Sequence, residues 1–158
     1  TILQGTAENG FRDDGFGGKI GALVANRSGA FDVVVGAAYE RRGVFRDGRE
    51  RRIAPDGTQG DLQDSDSLSF FAKAGVTLGE GVRIEAMGQR FRLQGDGDLI
   101  AVAGNRATGL PAAGAPGAVQ GEAPENLAES LALTLTAEDL AGGSLRVRGF
   151  WNRTADIY

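Results

Sequence analysis

The alternation of long and short connections is the feature that most constrains this chain. Segments with alternating apolar and polar residues are joined by a tight turn, then a long polar stretch, then a tight turn again. The tight turns fall at Arg27-Ser28-Gly29, at Gly79-Glu80-Gly81 and over residues 138–143. The long connections run over about residues 44–66 and 95–126. Successive connections of an antiparallel meander lie at opposite ends of the sheet, so this rhythm puts every long loop on one rim. Outer-membrane barrels have that asymmetry, with short turns on one side of the bilayer and long loops on the other.

The segments themselves have a period of two, the mark of strands. Over residues 31–42 one face carries Phe31, Val33, Val35, Ala37 and Tyr39, and the other Asp32, Val34, Gly36, Ala38 and Glu40. Leu68 and Phe70 alternate with Ser69, Phe71 and Lys73, and Leu131, Leu133 and Leu135 with Ala132, Thr134 and Thr136. Toward the C-terminus Leu145, Val147 and Trp151 alternate with Arg146, Arg148 and Asn152. Residues 82–94 are less regular. Val82, Ile84 and Ala86 share one parity, Phe91 and Leu93 the other, beside Arg90 and Arg92. This predicts a bulge near residues 87–89, or an upper half that leaves the membrane. Residues 8–18 read as a polar, glycine-rich connection, and residues 110–124, rich in Ala, Gly and Pro, as a mobile loop.

The expected fold is therefore all-β: an antiparallel up-and-down meander forming a partial wall of a transmembrane outer-membrane β-barrel. One partial barrel domain spans residues 1–158, a fragment whose plug and remaining wall lie outside it. Its membrane-facing residues are Phe31, Val33, Val35, Tyr39, Leu68, Phe70, Leu131, Leu133 and Leu135. Slipping the first of these strands by one residue would turn Asp32 and Glu40 to lipid, which the membrane penalises. No window approaches the ~18 consecutive apolar residues of a membrane helix, but membrane strands need only alternate apolar positions. Periodicity alone also fits a soluble β-sandwich with one solvated face.

Composition removes several chemistries. The chain has no cysteine and no histidine, hence no disulfide, no thiolate nucleophile and no imidazole base or ligand. A net charge of −4 leaves no nucleic-acid footprint. Gly15-Phe16-Gly17-Gly18-Lys19 is not a phosphate loop, because Ile20 replaces the required hydroxyl residue and Asp13 the first glycine. Asp61, Asp64 and Asp66, and the run Asp96-Gly97-Asp98, read as solvated acidic loops whose spacing does not match a calcium-binding loop. Arg46, Arg49, Arg51 and Arg52 crowd the first long loop, and arginine forks suit anionic ligands. These four are the candidate ligand-binding residues. Asp47 and Glu50 interrupt the cluster, so a mixed-charge solvated loop is the competing reading. No catalytic constellation and no cofactor or metal site is found.

The run Gly29-Ala30-Phe31-Asp32-Val33-Val34-Val35-Gly36-Ala37-Ala38-Tyr39-Glu40-Arg41-Arg42-Gly43, followed by Asp47-Gly48 and by Asp64-Ser65-Asp66-Ser67, resembles the early barrel strands of TonB-dependent outer-membrane receptors. The similarity extends from about Gly18 onward. It implies a 22-stranded barrel with a plugged lumen in the bacterial outer membrane, with no catalytic residue. Its partners would be the lipid bilayer, the TonB complex acting through the plug, and a small ligand, a ferric siderophore by preference over a vitamin or glycan. No family ligand contact transfers to a residue of this chain. The alternatives are a passive porin or another outer-membrane barrel, and a secreted β-sandwich that binds carbohydrate or acts as an adhesin.

Overall fold

A computed structural model of the chain describes residues 1–9, 13–55 and 63–157. Seven strands form one antiparallel sheet: β1 (Ile2–Asn9), β2 (Phe16–Ser28), β3 (Phe31–Arg42), β4 (Ser65–Thr77), β5 (Val82–Gly95), β8 (Glu125–Leu140) and β9 (Gly143–Ile157). Their spatial order follows the chain, β1-β2-β3-β4-β5-β8-β9, so the sheet is a plain meander. Two short strands, β6 (Leu99–Val102) and β7 (Ala113–Pro116), form a separate hairpin inside the last long connection. The sheet is open among the described residues, with β1 and β9 at its edges. Among the described residues no helix is long and apolar enough to cross a membrane, which does not bear on a β-barrel.

The three tight turns sit on one rim. Gly29 supplies a positive φ between β2 and β3, and Gly79 and Gly81 do so between β4 and β5. Between β8 and β9 both Ala141 and Gly142 have positive φ, as a two-residue hairpin turn of matching twist requires. An irregularity between Ala137 and Leu140 lets the pairing resume at Leu140↔Gly143. The longer connections, residues 43–64 and 96–124, leave from the opposite rim.

Register fixes the faces. Val33 pairs with Ala74, Tyr39 with Leu68 and Ala37 with Phe70, while Ala86 pairs with Leu133 and Leu135 with Val147. Partners in a ladder share a face, so one face of the whole sheet is an apolar band. The expected bulge in β5 is absent: Ser65↔Gly95 through Thr77↔Arg83 run without a break. The register instead fits the alternative, in which the upper half of β5 runs past the apolar stretch. Arg90 and Arg92 lie on the apolar face but at its long-loop end, opposite Phe70 and Leu68, beyond which the face becomes charged. Two further expectations need correction. Phe16-Gly17-Gly18 belongs to β2 rather than to a loop, and residues 113–116 of the expected mobile loop are β7.

Among the described residues, none covers the apolar band. Phe70 is 48% exposed and Leu133 57%. Phe31, Val35, Tyr39, Leu68, Leu131 and Leu135 are likewise exposed, and Val33 is half-buried. The β6–β7 hairpin pairs with no strand of the large sheet. The opposite face is mixed: it exposes Ile2, Leu23 and Phe150 but is laced by cross-strand ion pairs. Lys19 meets Glu40 at 3.4 Å, Lys73 meets Glu85 at 2.9 Å and Arg83 meets Asp32 at 2.7 Å. Arg83 reaches β3 by lying across β4 at Gly75, where a Cβ would come within 2.1 Å of its guanidinium. That strand glycine is the gap through which the ion pair forms. This ion-paired face is also the hollow one. A depression of about 650 Å³, lined mainly by its residues, spans five strands from Gln4 through Lys19, Gly36 and Ser69 to Gln89.

Candidate functional site: the long-loop rim

Buried side chains are few and gather mostly where the long loops leave the sheet. Val44, Leu93, Leu99 and Leu127 are the buried apolar ones among the described residues, and Gln63 and Ser65 are buried beside them. The wall thus has no core of its own, and the loop roots do.

Three segments interlock there. The first is a 3-10 turn at Asp13–Gly15, whose Asp14 carbonyl accepts a hydrogen bond from the Val44 N–H at 2.7 Å. Gly43 fits against this turn so closely that a Cβ would stand 2.6–2.7 Å from backbone atoms of Asp14, Gly15 and Phe16. The second is the loop after β3. Gln63 crosses it, accepting from the Phe45 N–H at 2.7 Å and donating to the Ile53 carbonyl at 2.9 Å. The third is β7, whose Gly114 N–H donates to the Arg52 carbonyl at 2.9 Å. A Cβ on Gly114 would meet the Ile53 carbonyl oxygen at 2.7 Å. Backbone glycines at the two tightest crossings let three loops share one platform.

The arginine cluster is largely consumed in building that platform. Arg46 and Arg52 converge on the Asp14 carboxylate at 2.5 and 2.9 Å. Their two forks hold Asp14 below the usual carboxylate range. Arg51 folds back on Asp47 at 2.6 Å, and Asp47 also accepts from the Arg49 and Arg51 backbone N–H groups. With those donors Asp47 is lowered to about 2. Arg49 differs: it is exposed, and among the described residues its guanidinium makes no ion pair. Of the four arginines expected to bind ligand, the structure brings two together on one carboxylate, pairs one locally and leaves one presented to solvent.

A second knot ties the roots of the two long loops. Arg41 donates to Asp66 at 2.7 Å and to Asp96 at 2.8 Å, with Asp64 at 3.5 Å. The Tyr39 hydroxyl also donates to Asp66. The Asp96 N–H donates to the Asp64 carbonyl at 2.9 Å. Burial pushes the Asp64 carboxyl up to about 6, helped by its hydrogen bond with Asp98 and by the negative charges of Asp98 and Asp96. Asp61 lies outside the described residues. No group of three or more acidic side chains among the described residues is placed to hold a metal ion.

Sequence reasoning singled out the arginines but missed Asp14, the partner of Arg46 and Arg52, and Asp96, a partner of Arg41. Only the acidic character of residues 13–14 and 96–98 could have signalled them. With no histidine or cysteine in the chain, the platform has neither an imidazole base nor a thiol nucleophile. What it offers is an arginine-bearing surface with Phe45 exposed on it. Comparison with protein-family models, with curated proteins and with solved structures gives no match.

Proposed function

We propose that the seven strands are part of the wall of an outer-membrane β-barrel, and that the barrel is a nutrient receptor driven by TonB, taking up a ferric siderophore or a similar anionic chelate. The observation that carries the membrane half of this reading is the uncovered apolar band. A soluble monomer rarely exposes a contiguous apolar surface of this breadth. Here it extends from Leu3 on β1 to Val147 on β9, and a sandwich would need a second layer over it. The dimensions agree. Phe31 and Arg41 bound the outward face of β3, ten residues apart. At ~3.4 Å per residue and a tilt of ~40° that is ~26 Å along the membrane normal, against an apolar band ~25 Å tall. The hollow face would line the lumen.

The receptor half of the reading rests on the resemblance in the β3 region and on the interlocked loops. A porin needs only an open mouth, whereas a receptor needs a shaped one. Arg49 is the arginine left to meet an anionic ligand. On this reading the protein is a transporter rather than an enzyme and needs no resident cofactor.

The test is uptake of a radiolabelled ferric chelate by cells carrying the full-length protein, with and without a functional TonB. Uptake that requires TonB and weakens on Arg49→Ala supports the proposal. Passage of small solutes that ignores TonB would replace it with a passive porin.

A further inference from the structure

The outward face carries charge only at its long-loop end, and that charge is unevenly balanced. Four arginines point outward there: Arg41, Arg90, Arg92 and Arg153. Arg41 is engaged by Asp66 and Asp96, and Arg92 by both oxygens of Glu125 at 2.8 and 3.1 Å. Arg90 and Arg153 are placed differently. They flank Glu129 in one row of the ladder, Arg90↔Glu129↔Arg153, and share its single carboxylate through loose contacts of 3.4 and 3.7 Å. Their side chains remain 60% and 59% exposed. Among the described residues, two guanidiniums on one carboxylate leave one positive charge over, with Arg153 on the edge strand of the sheet.

The rows beneath are apolar and small: Gly88↔Leu131↔Trp151, then Ala86↔Leu133↔Gly149. Glycines at either end leave shallow ground around the Leu131 and Trp151 side chains. Val82 marks the start of β5 on this face, eight residues below Arg90. That is ~27 Å along the strand and ~21 Å along the normal at a tilt of ~40°, which puts the Arg90–Glu129–Arg153 row at the boundary between acyl chains and headgroups. We infer that Arg90 and Arg153 form a docking site for a membrane lipid with a negatively charged phosphate headgroup, whose acyl chains lie over Leu131 and Trp151. Guanidinium forks bind phosphate oxygens in pairs, and a surplus cation at headgroup level attracts anionic lipid. The proposal rests on the membrane reading above and adds a partner to it.

The experiment uses the full-length protein in phosphatidylcholine nanodiscs doped with phosphatidylglycerol. Lipid retained after transfer to mild detergent is read by native mass spectrometry. The wild type should retain phosphatidylglycerol above its share of the bilayer. Arg90→Gln or Arg153→Gln should each weaken retention about 5-fold, and the pair about 30-fold. Glu129→Gln, which removes the competing carboxylate, should strengthen it. Arg146→Gln with Arg148→Gln removes the same charge from the polar face of β9 and should leave it unchanged. Inorganic phosphate should not displace the lipid.

Insertion of the wild type with no enrichment of phosphatidylglycerol would overturn the lipid site and leave the barrel intact. Equal losses from the polar-face pair would overturn it as a mere net-charge effect, and displacement by inorganic phosphate would make the row a free-anion site instead. Failure of the wild type to enter the bilayer would remove the membrane reading, and the lipid site with it.

Discussion

Placing a charge at the centre of the apolar band separates a membrane wall from a soluble sheet. Leu133 pairs with Ala86 and Gly149 on that face and is 57% exposed. It lies four residues from Glu129 and four from Ala137, so ~10 Å along the normal from either end of the band on β8. Arginine at the midplane of a membrane barrel costs ~2–4 kcal/mol. Leu133→Arg should therefore lower the folding equilibrium constant between ~30-fold and ~1,000-fold. Ser130→Arg supplies the control. Ser130 is on the polar face of the same strand, facing Gln89 and Asn152, where a surface substitution shifts stability by ~0.5 kcal/mol or less. The assay is urea unfolding of the full-length protein refolded into phospholipid vesicles, with midpoint and slope compared between variants. A Leu133→Arg protein as stable as the Ser130→Arg protein would refute the argument, because an exposed leucine on a water-facing sheet tolerates arginine.

Three further outcomes probe the loop platform. Gly43→Ala should cost ~1–3 kcal/mol in the stability of the loop root, since the backbone atoms 2.6–2.7 Å from its Cβ cannot move away as a side-chain tip could; amide exchange of Val44 should accelerate, and an unchanged rate would show that the turn at residues 13–15 yields freely. Asp14→Asn removes the charge on which Arg46 and Arg52 converge, so exchange at Gly114, which donates to the Arg52 carbonyl, should quicken while the pairing of β3 with β4 stays protected. The third outcome concerns pH. Asp47, lowered to about 2, contributes stability above pH ~4 that is lost as pH falls toward 2. Asp64, raised to about 6, has the opposite sign: its proton stabilises the folded loops below pH ~4, and that contribution is lost as pH rises through 6. Protection of the Arg51 amide should therefore fall below pH 4 and protection of the Asp96 amide above it; a common pH dependence for both would contradict these environments.

The strands were legible wherever one face is strictly apolar. Residues 31–42 were delimited to the residue because a one-step slip would turn Asp32 and Glu40 onto the apolar face. The start of β2 was not, since Phe16-Gly17-Gly18 has the composition of a turn and pairs only because β1 and β3 flank it. β5 left two readings open for a different reason. Its outward Arg90 and Arg92 looked like a change of parity, whereas they continue the parity past the end of the apolar band. The hairpin of β6 and β7 follows no alternation, because neither strand belongs to the large sheet. The arginine cluster was visible as composition, but its partners were not. Asp14 lies 32 and 38 residues before the two arginines it holds, and only the meander brings them together.

The central claim is that hydrocarbon covers one face of the sheet and water the other. Single cysteines placed in turn at residues 130–135 of β8, in a full-length protein carrying no other cysteine and spin-labelled in a bilayer, report each position separately. Labels at Leu131, Leu133 and Leu135 should be relaxed strongly by oxygen, which concentrates in the acyl region. Labels at Ser130, Ala132 and Thr134 should respond instead to a water-soluble nickel chelate, or to neither reagent where the lumen is filled. Oxygen relaxation no stronger at Leu131, Leu133 and Leu135 than at Ser130, Ala132 and Thr134 would contradict the account.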